Sequence, residues 1–298
     1  MSQSEATTYE INWKTLPWAP IVAIGALLVA LFWSVVPSMV EVWMTDEAYS
    51  HGLLIPPLAG YIAWIQRDKI LAEPARQDAR GLLVTALGCL VLLVGKLGAE
   101  FFLTRISIVI ILCGLILTFW GFRRLTQLSF SLVLLATMVP IPQILYNKMA
   151  TPLQLFSSTV ASDFLQLVGI PVYRDGNIMN LANISLGVAE ACSGLRSMSS
   201  LTVLGLVVGY FTCRTTPIRA LLVVLAIPTA IFMNVVRIVA TALMARADPA
   251  LAEGFFHSFS GWIVFLCGFG ILYGLAAGLA SLEGKGPADD RAGELARS

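Results

Sequence analysis

The sequence predicts an all-α, multi-pass integral membrane protein, and two observations carry that prediction. Of its 298 residues, 57% are hydrophobic and only 12% are charged, with a mean hydropathy of +0.82; a soluble domain carries about twice that charged fraction. The apolar residues also fall in runs long enough to cross a hydrocarbon core, which takes roughly 20 residues of helix.

In chain order, runs near residues 18–38, 52–66, 81–98, 106–122, 128–146, 197–213, 218–240 and 257–281 predict about eight spans. The second and fifth are interrupted or ended by Pro56, Pro57, Pro140 and Pro142, since proline removes a helical hydrogen bond. The first 16 residues are polar and no small-x-small cleavage site accompanies the first run, so span one is expected to stay in the protein. Residues 147–196 form a long segment between spans five and six, with an amphipathic stretch from Pro152 to Ile170 and a hairpin around Tyr173-Arg174-Asp175-Gly176-Asn177. Residues 1–282 read as a single transmembrane domain, and 283–298 as a short disordered cytoplasmic tail.

Charge sets the expected orientation, because Lys and Arg collect in loops that remain in the cytoplasm. Arg67, Lys69, Arg76 and Arg80 follow span two, Arg123 and Arg124 follow span four, and Arg214 and Arg219 follow span six, whereas Glu41, Asp46 and Glu47 follow span one. Both termini should therefore lie inside. Arg237 stands 18 residues beyond Arg219, about 27 Å along a helix, which carries it to the outer boundary. Cys192 and His257 open spans at that same boundary.

Cys192 lies in Glu190-Ala191-Cys192-Ser193-Gly194-Leu195-Arg196-Ser197, where a loop becomes a helix. A helix N-terminus stabilises a thiolate, while partial burial opposes the charge, so a cationic neighbour would decide the balance. Cys192 is then either a nucleophile or part of a capping turn. An arginine within a span costs about 2.5–3.5 kcal/mol at the bilayer centre, so Arg237 must face protein or water, or snorkel to the interface. Asn234, Arg237 and Thr241 share one helical face. His257, with Ser260 and Gly261 on its face, is either a base or a hydrogen-bonded helix start. His51, in Asp46-Glu47-Ala48-Tyr49-Ser50-His51-Gly52, either lines a cleft or belongs to a polar turn. Cys89, Cys113, Cys213 and Cys267 read as small buried hydrophobes, which leaves no disulfide framework.

No metal-binding spacing, glycine-rich phosphate loop or nucleic-acid patch is present in the sequence, so no cofactor, metal or nucleic acid is expected. A transporter or channel component for polysaccharide or solute export is the rival reading, with Arg237 and Glu190 binding an ion or solute. It would favour polar groups at the bilayer midplane; here they gather at one face, which favours interfacial acyl-transfer chemistry.

The Glu190 to Ser197 segment, joined to Asn234-Val235-Val236-Arg237-Ile238 and the later His257, resembles the exosortase family of bacterial membrane transpeptidases, with archaeosortases as distant relatives. Tyr49-Ser50-His51-Gly52 and Val139-Pro140-Ile141-Pro142 resemble it too. The resemblance implies a sortase-like cysteine peptidase of the bacterial inner membrane, its active site facing the periplasm or exterior. Its partners would be membrane-anchored proteins with a C-terminal sorting signal made of a Pro-Glu-Pro-type motif, a transmembrane helix and a basic cluster, often alongside exopolysaccharide production. It further implies Cys192 as nucleophile with Arg237 and His257 as its catalytic partners; Glu190, Arg196, Asn234 and His51 are candidates for substrate-binding or supporting roles.

Overall fold

The computed structural model describes residues 18–181, 185–187, 195–248 and 254–283. The chain divides into two compact units, Met1–Pro142 and Gln143–Ser298. In the first, α1 (Trp18–Phe32) and α2 (Val35–Thr45) form a pair bent by 59°. A 3-10 turn (Ser50–Leu53), α3 (Ile55–Ile65), α4 (Arg67–Ala72), α5 (Arg80–Leu97), α6 (Phe101–Gln127) and α7 (Ser129–Ala136) follow.

The α5–α6 hairpin is built on a heptad of glycines that the hydropathy pattern does not reveal. Gly81, Gly88 and Gly95 lie against Thr118, Ile111 and Thr104 in antiparallel register; a Cβ on Gly88 would sit 2.6 Å from Ile111 Cγ1, and one on Gly95 2.7 Å from the Thr104 nitrogen. Small residues at this spacing let two backbones approach closely, which is how apolar helices associate in lipid, where no hydrophobic force drives them together. Glu100 starts α6 by accepting a 2.7 Å hydrogen bond from the Leu103 amide, and Gly121, at φ +82°, breaks the helix near its other end. There Arg124 donates to the Glu73 carbonyl at 2.7 and 3.0 Å, tying down the loop before α5.

Elsewhere in this unit, long side chains hold the turns. Trp43 Nε1 donates to the Met138 carbonyl at 3.0 Å, and the Ile141 amide donates to the Tyr49 hydroxyl at 3.2 Å. The Pro140-Ile141-Pro142 stretch is thereby fastened to the chain around α2.

The second unit contains α8 (Gln143–Leu167), an antiparallel sheet of β1 (Tyr173–Asp175), β2 (Ile178–Asn180) and β3 (Ser185–Gly187), then α9 (Leu195–Thr212), α10 (Thr216–Ala247) and α11 (Gly254–Leu282). The anticipated hairpin is present as β1–β2, turning at Gly176 with φ +61°; β3 pairs with β2 as an addition the sequence did not signal. Helices α9, α10 and α11 pack antiparallel in turn: Gly205 and Gly209 face Ala226 and Leu222, while a Cβ on Gly268 would sit 3.1 Å from Leu201 Cδ1 and 3.3 Å from Met233 Cγ.

α8 covers the amphipathic stretch, with its polarity reversed relative to a water-facing helix. Gln154, Ser157, Ser158 and Ser162 are buried, and Leu155, Phe156, Val160, Phe164 and Leu167 are exposed. Apolar side chains outward and small or hydroxylated ones inward is the pattern of a helix that faces lipid.

Among the described residues, four helices are long and apolar enough to cross a membrane, or five with the bent α1–α2 pair, against the eight spans expected. Two of the differences have a local cause. α3 has 11 residues, about 16 Å of rise, and its prolines occupy the first turn, where they start the helix rather than interrupt it. Predicted span five is split: α7 ends at Ala136, residues 137–142 are irregular, and α8 begins at Gln143. Of the predicted tail, Glu283 is ordered against α10, and 284–298 lie outside the described residues.

Candidate active site

Helix α10 carries the polar stripe. It starts at Thr215, whose extended backbone (φ −93°, ψ 143°) suits an N-cap, with proline in the first turn. Glu283, just after α11, accepts hydrogen bonds from the Arg214 and Thr215 amides at 2.7 and 2.6 Å and from the Thr215 hydroxyl at 2.6 Å. Those backbone and side-chain donors, the Arg214 amide foremost, hold its carboxyl below the usual carboxylate range. A carboxylate there also complements the positive end of the helix. Arg219 donates to the Cys213 carbonyl at 2.9 Å and lies 5.0 Å over the Tyr210 ring. This end of the three-helix bundle is closed by its caps.

Eighteen residues further along α10 the chemistry changes. Asn234 is 1% exposed, and Arg237 lies on the same face, packed against α11: a Cβ placed on Gly261 would sit 3.6 Å from Arg237 Cζ and Nη2. Gly261 is four residues after His257, one turn along the same face of α11. Thr241 completes the stripe, and its buried hydroxyl has no hydrogen-bond partner among the described residues.

The flank of α10 beside this stripe is covered by the elements leading to Cys192. Ile238 and Ala242 pack with Ala161 and Leu165 of α8, with Ile170 and Val172, and with Met179 of β2; Leu186 of β3 joins the same cluster. β3 ends at Gly187 and α9 begins at Leu195, so the chain carrying Glu190 and Cys192 connects two elements that both belong to this bundle. From the Leu201–Met233–Gly268 layer, Arg237 is reached by ascending α10 and the His257 position by descending α11. Because α10 and α11 run antiparallel, both positions lie on one side of the layer, the side from which α9 starts at Leu195.

Of the predicted site residues, the structure brings Arg237 and the His257-bearing turn of α11 together and buries Asn234 on the same helix. Cys192 and Glu190 lie outside the described residues, and Arg196 and His257 are described as positions in α9 and α11 without their side chains. His51 belongs to the first unit, in the 3-10 turn between α2 and α3. Burial pushes its imidazole below the usual histidine range, against an opposing hydrogen bond to the Thr137 backbone, and Nδ1 has no partner among the described residues. Of the other cysteines, Cys213 is buried and Cys113 half-buried, but Cys89 and Cys267 lie exposed on α5 and α11, which corrects the expectation that all four are buried. On helices of this hydropathy, an exposed thiol faces lipid.

Sequence reasoning missed the inward polar face of α8, where Ser157 is fully buried and its hydroxyl has no partner among the described residues. Its signal was present in the sequence as hydroxylated residues alternating with apolar ones at helical spacing, but which face turns inward depends on the surrounding solvent.

A bundle of long apolar helices, with an arginine of one helix set against the histidine-bearing turn of the next, defines the class, a polytopic helical membrane protein. The family model for transmembrane exosortases (Exosortase_EpsH) matches residues 43–274, and the chain belongs to that family of membrane-embedded cysteine peptidases and transpeptidases. No curated protein and no solved structure matches it.

Proposed function

We propose that this exosortase cleaves a C-terminal sorting signal of exported, membrane-anchored proteins through a thioester on Cys192. The Cys192 sulfur attacks the scissile carbonyl, and His257 takes the thiol proton and returns it to the leaving nitrogen as the C–N bond breaks. The transmembrane tail of the substrate departs as an amine, leaving the acyl group on sulfur. Arg237 stabilises the oxyanion or clamps the substrate through its guanidinium; Asn234, Glu190 and Arg196 support the site. A water or amine then attacks the thioester with His257 as base. The signal is a Pro-Glu-Pro-type motif with a transmembrane helix and a basic cluster, the site faces the outside of the bacterial inner membrane, and the activity accompanies exopolysaccharide production.

The observation that carries this reading is the seat of the Arg237 guanidinium on Gly261, one turn from His257. An arginine held against the helix that bears a histidine supports a chemical role over a snorkelling one, since a snorkelling arginine would reach for solvent. The test is processing of a co-expressed protein ending in such a signal. Cys192→Ala should abolish cleavage while the enzyme remains monodisperse, and wild type should yield a hydroxylamine-sensitive adduct with the N-terminal product. Continued cleavage by Cys192→Ala would eliminate the thioester mechanism.

A further inference from the structure

Arg105, in the second turn of α6, is a buried cation with few partners. It is 7% exposed, its Nη2 lies 3.5 Å from the Ser38 carbonyl, its Nε has no hydrogen-bond partner among the described residues, and the Phe101 ring lies 5.4 Å away. No carboxylate stands within 4.0 Å of it among the described residues. Glu100 and Tyr49 are the titratable neighbours that act on it. One Glu100 oxygen is already engaged by the Leu103 amide at the start of α6, and that helix end contributes about half a positive charge of its own. The local balance of guanidinium, helix end and carboxylate is therefore positive. A buried guanidinium ordinarily has its five donors matched, because desolvation without pairing costs several kcal/mol.

Next to it lies an apolar groove. A cavity of about 440 Å³ at the α1–α2 bend is lined by Leu28, Phe32, Val36, Pro37, Ile108 and Leu112. Arg105, Ile108 and Leu112 follow i, i+3, i+7 spacing and share one face of α6, and the carbonyl that meets Arg105 belongs to Ser38, the residue after Pro37. Arg105 thus stands at one end of the groove, four residues into α6 and near the end of its span. On the other side of the bend, the exposed Lys96 ammonium donates to the Leu31 carbonyl at 3.2 Å, so cations bracket the bend.

We propose that this groove binds an anionic phospholipid, with its phosphate on the Arg105 guanidinium and one acyl chain along Phe32, Ile108 and Leu112. Guanidinium recognises phosphate through paired charge-assisted hydrogen bonds, and Lys96 adds to the attracting field. A free phosphate would gain nothing from the apolar lining, and Val29 and Val36 of that lining are exposed on the same apolar surface that faces lipid. The inference is independent of the chemistry at Cys192.

The test uses the full-length protein, delipidated and exchanged into mixed micelles holding equal amounts of phosphatidylglycerol and phosphatidylcholine, with retained lipid counted by native mass spectrometry. Wild type should retain phosphatidylglycerol about tenfold over phosphatidylcholine, the scale of one charge-assisted hydrogen-bonded pair. Arg105→Gln should bring the ratio to about one, Arg105→Lys should fall between, and Lys96→Gln should reduce the preference about twofold to threefold. Val29→Trp, which fills the groove from its exposed rim without touching Arg105, should lower retention of phosphatidylglycerol several-fold, and it serves as the readout if Arg105→Gln does not fold. An unchanged preference in Arg105→Gln or unchanged retention in Val29→Trp overturns the proposal, as does inorganic phosphate at millimolar concentration displacing the lipid completely, because the apolar seat would then contribute nothing.

Discussion

The two ends of the α9–α10–α11 bundle are made from the same helices and do opposite things with their polar groups. At the Arg219 end, Glu283 closes the start of α10 and Arg219 is held by a carbonyl and a tyrosine ring; these groups satisfy helix termini. At the Arg237 end, about 27 Å away by helical rise, the polar groups stand inside the apolar run of α10: a buried asparagine, an arginine against a glycine of the next helix and a threonine with an unpartnered hydroxyl. Polar groups that terminate helices contribute stability, whereas polar groups set into a helix interior in lipid are costly and mark function. Substitutions at one end should therefore move activity, and at the other stability.

The largest expected contrast comes from pairing Arg237→Ala or His257→Ala with Cys192→Ala. Each single change should slow processing by about 10²- to 10³-fold, measured as initial cleavage rate, yet neither should matter further once Cys192 is gone, because groups acting as one unit are not additive. An additional loss in the double variant, read as loss of folded protein, would assign Arg237 a structural role like that of Arg219.

Gly261→Leu sharpens the comparison at the next level. A Cβ there meets Arg237 at ordinary contact distance, so Gly261→Ala should be tolerated, while the larger side chain occupies the guanidinium's seat. Processing should fall by about tenfold or more with thermal stability changed by less than about 1 kcal/mol, since the site opens toward a helix end and can relax. Equal losses of stability and activity would show that the contact is packing alone.

At the opposite end, Glu283→Gln should leave the cleavage rate per folded molecule unchanged and lower the melting temperature at neutral pH. The Glu283 carboxyl is depressed in the folded protein, so its stabilisation is fully present above its ordinary value near 4.5 and is lost as pH falls through the folded value. The gap between wild type and variant should close as melts are run into that acid range. A gap independent of pH would mean that the cap acts by shape rather than by charge.

The smallest effect belongs to His51. Its depressed value means that the unfolded chain takes up the proton first, so stability present above pH 6.5 declines as pH falls toward the folded value. His51→Asn should flatten that part of the melting profile while leaving the Glu283 part untouched. A profile that keeps its slope would place the proton uptake elsewhere.

Hydropathy and charge made much of this protein legible in advance. The long apolar helices α5, α6, α10 and α11, the hairpin at Gly176 and the stripe of Asn234, Arg237 and Thr241 follow from periodicity and turn chemistry, because those signals act within a few residues of chain. Span counting was less secure at α3 and at Pro140–Pro142, since hydropathy sums composition over a window and does not register where a helix stops. Composition likewise placed Cys89 and Cys267 among apolar neighbours but was silent on whether those neighbours were protein or lipid.

By itself, the sequence determined that the chain is a membrane protein and which residue types could perform acyl transfer, because apolar run length and rare ionisable groups in such runs are strong local constraints. Tertiary structure alone decided which helices meet. The glycine heptad of α5 acquires meaning only opposite Thr104, Ile111 and Thr118, the serines of α8 are shown to be the inward face only by the packing around them, and Arg237 is joined to the His257 helix by the absence of a side chain at Gly261. These are close approaches between segments distant in sequence, set by what a neighbouring helix lacks as much as by what it carries.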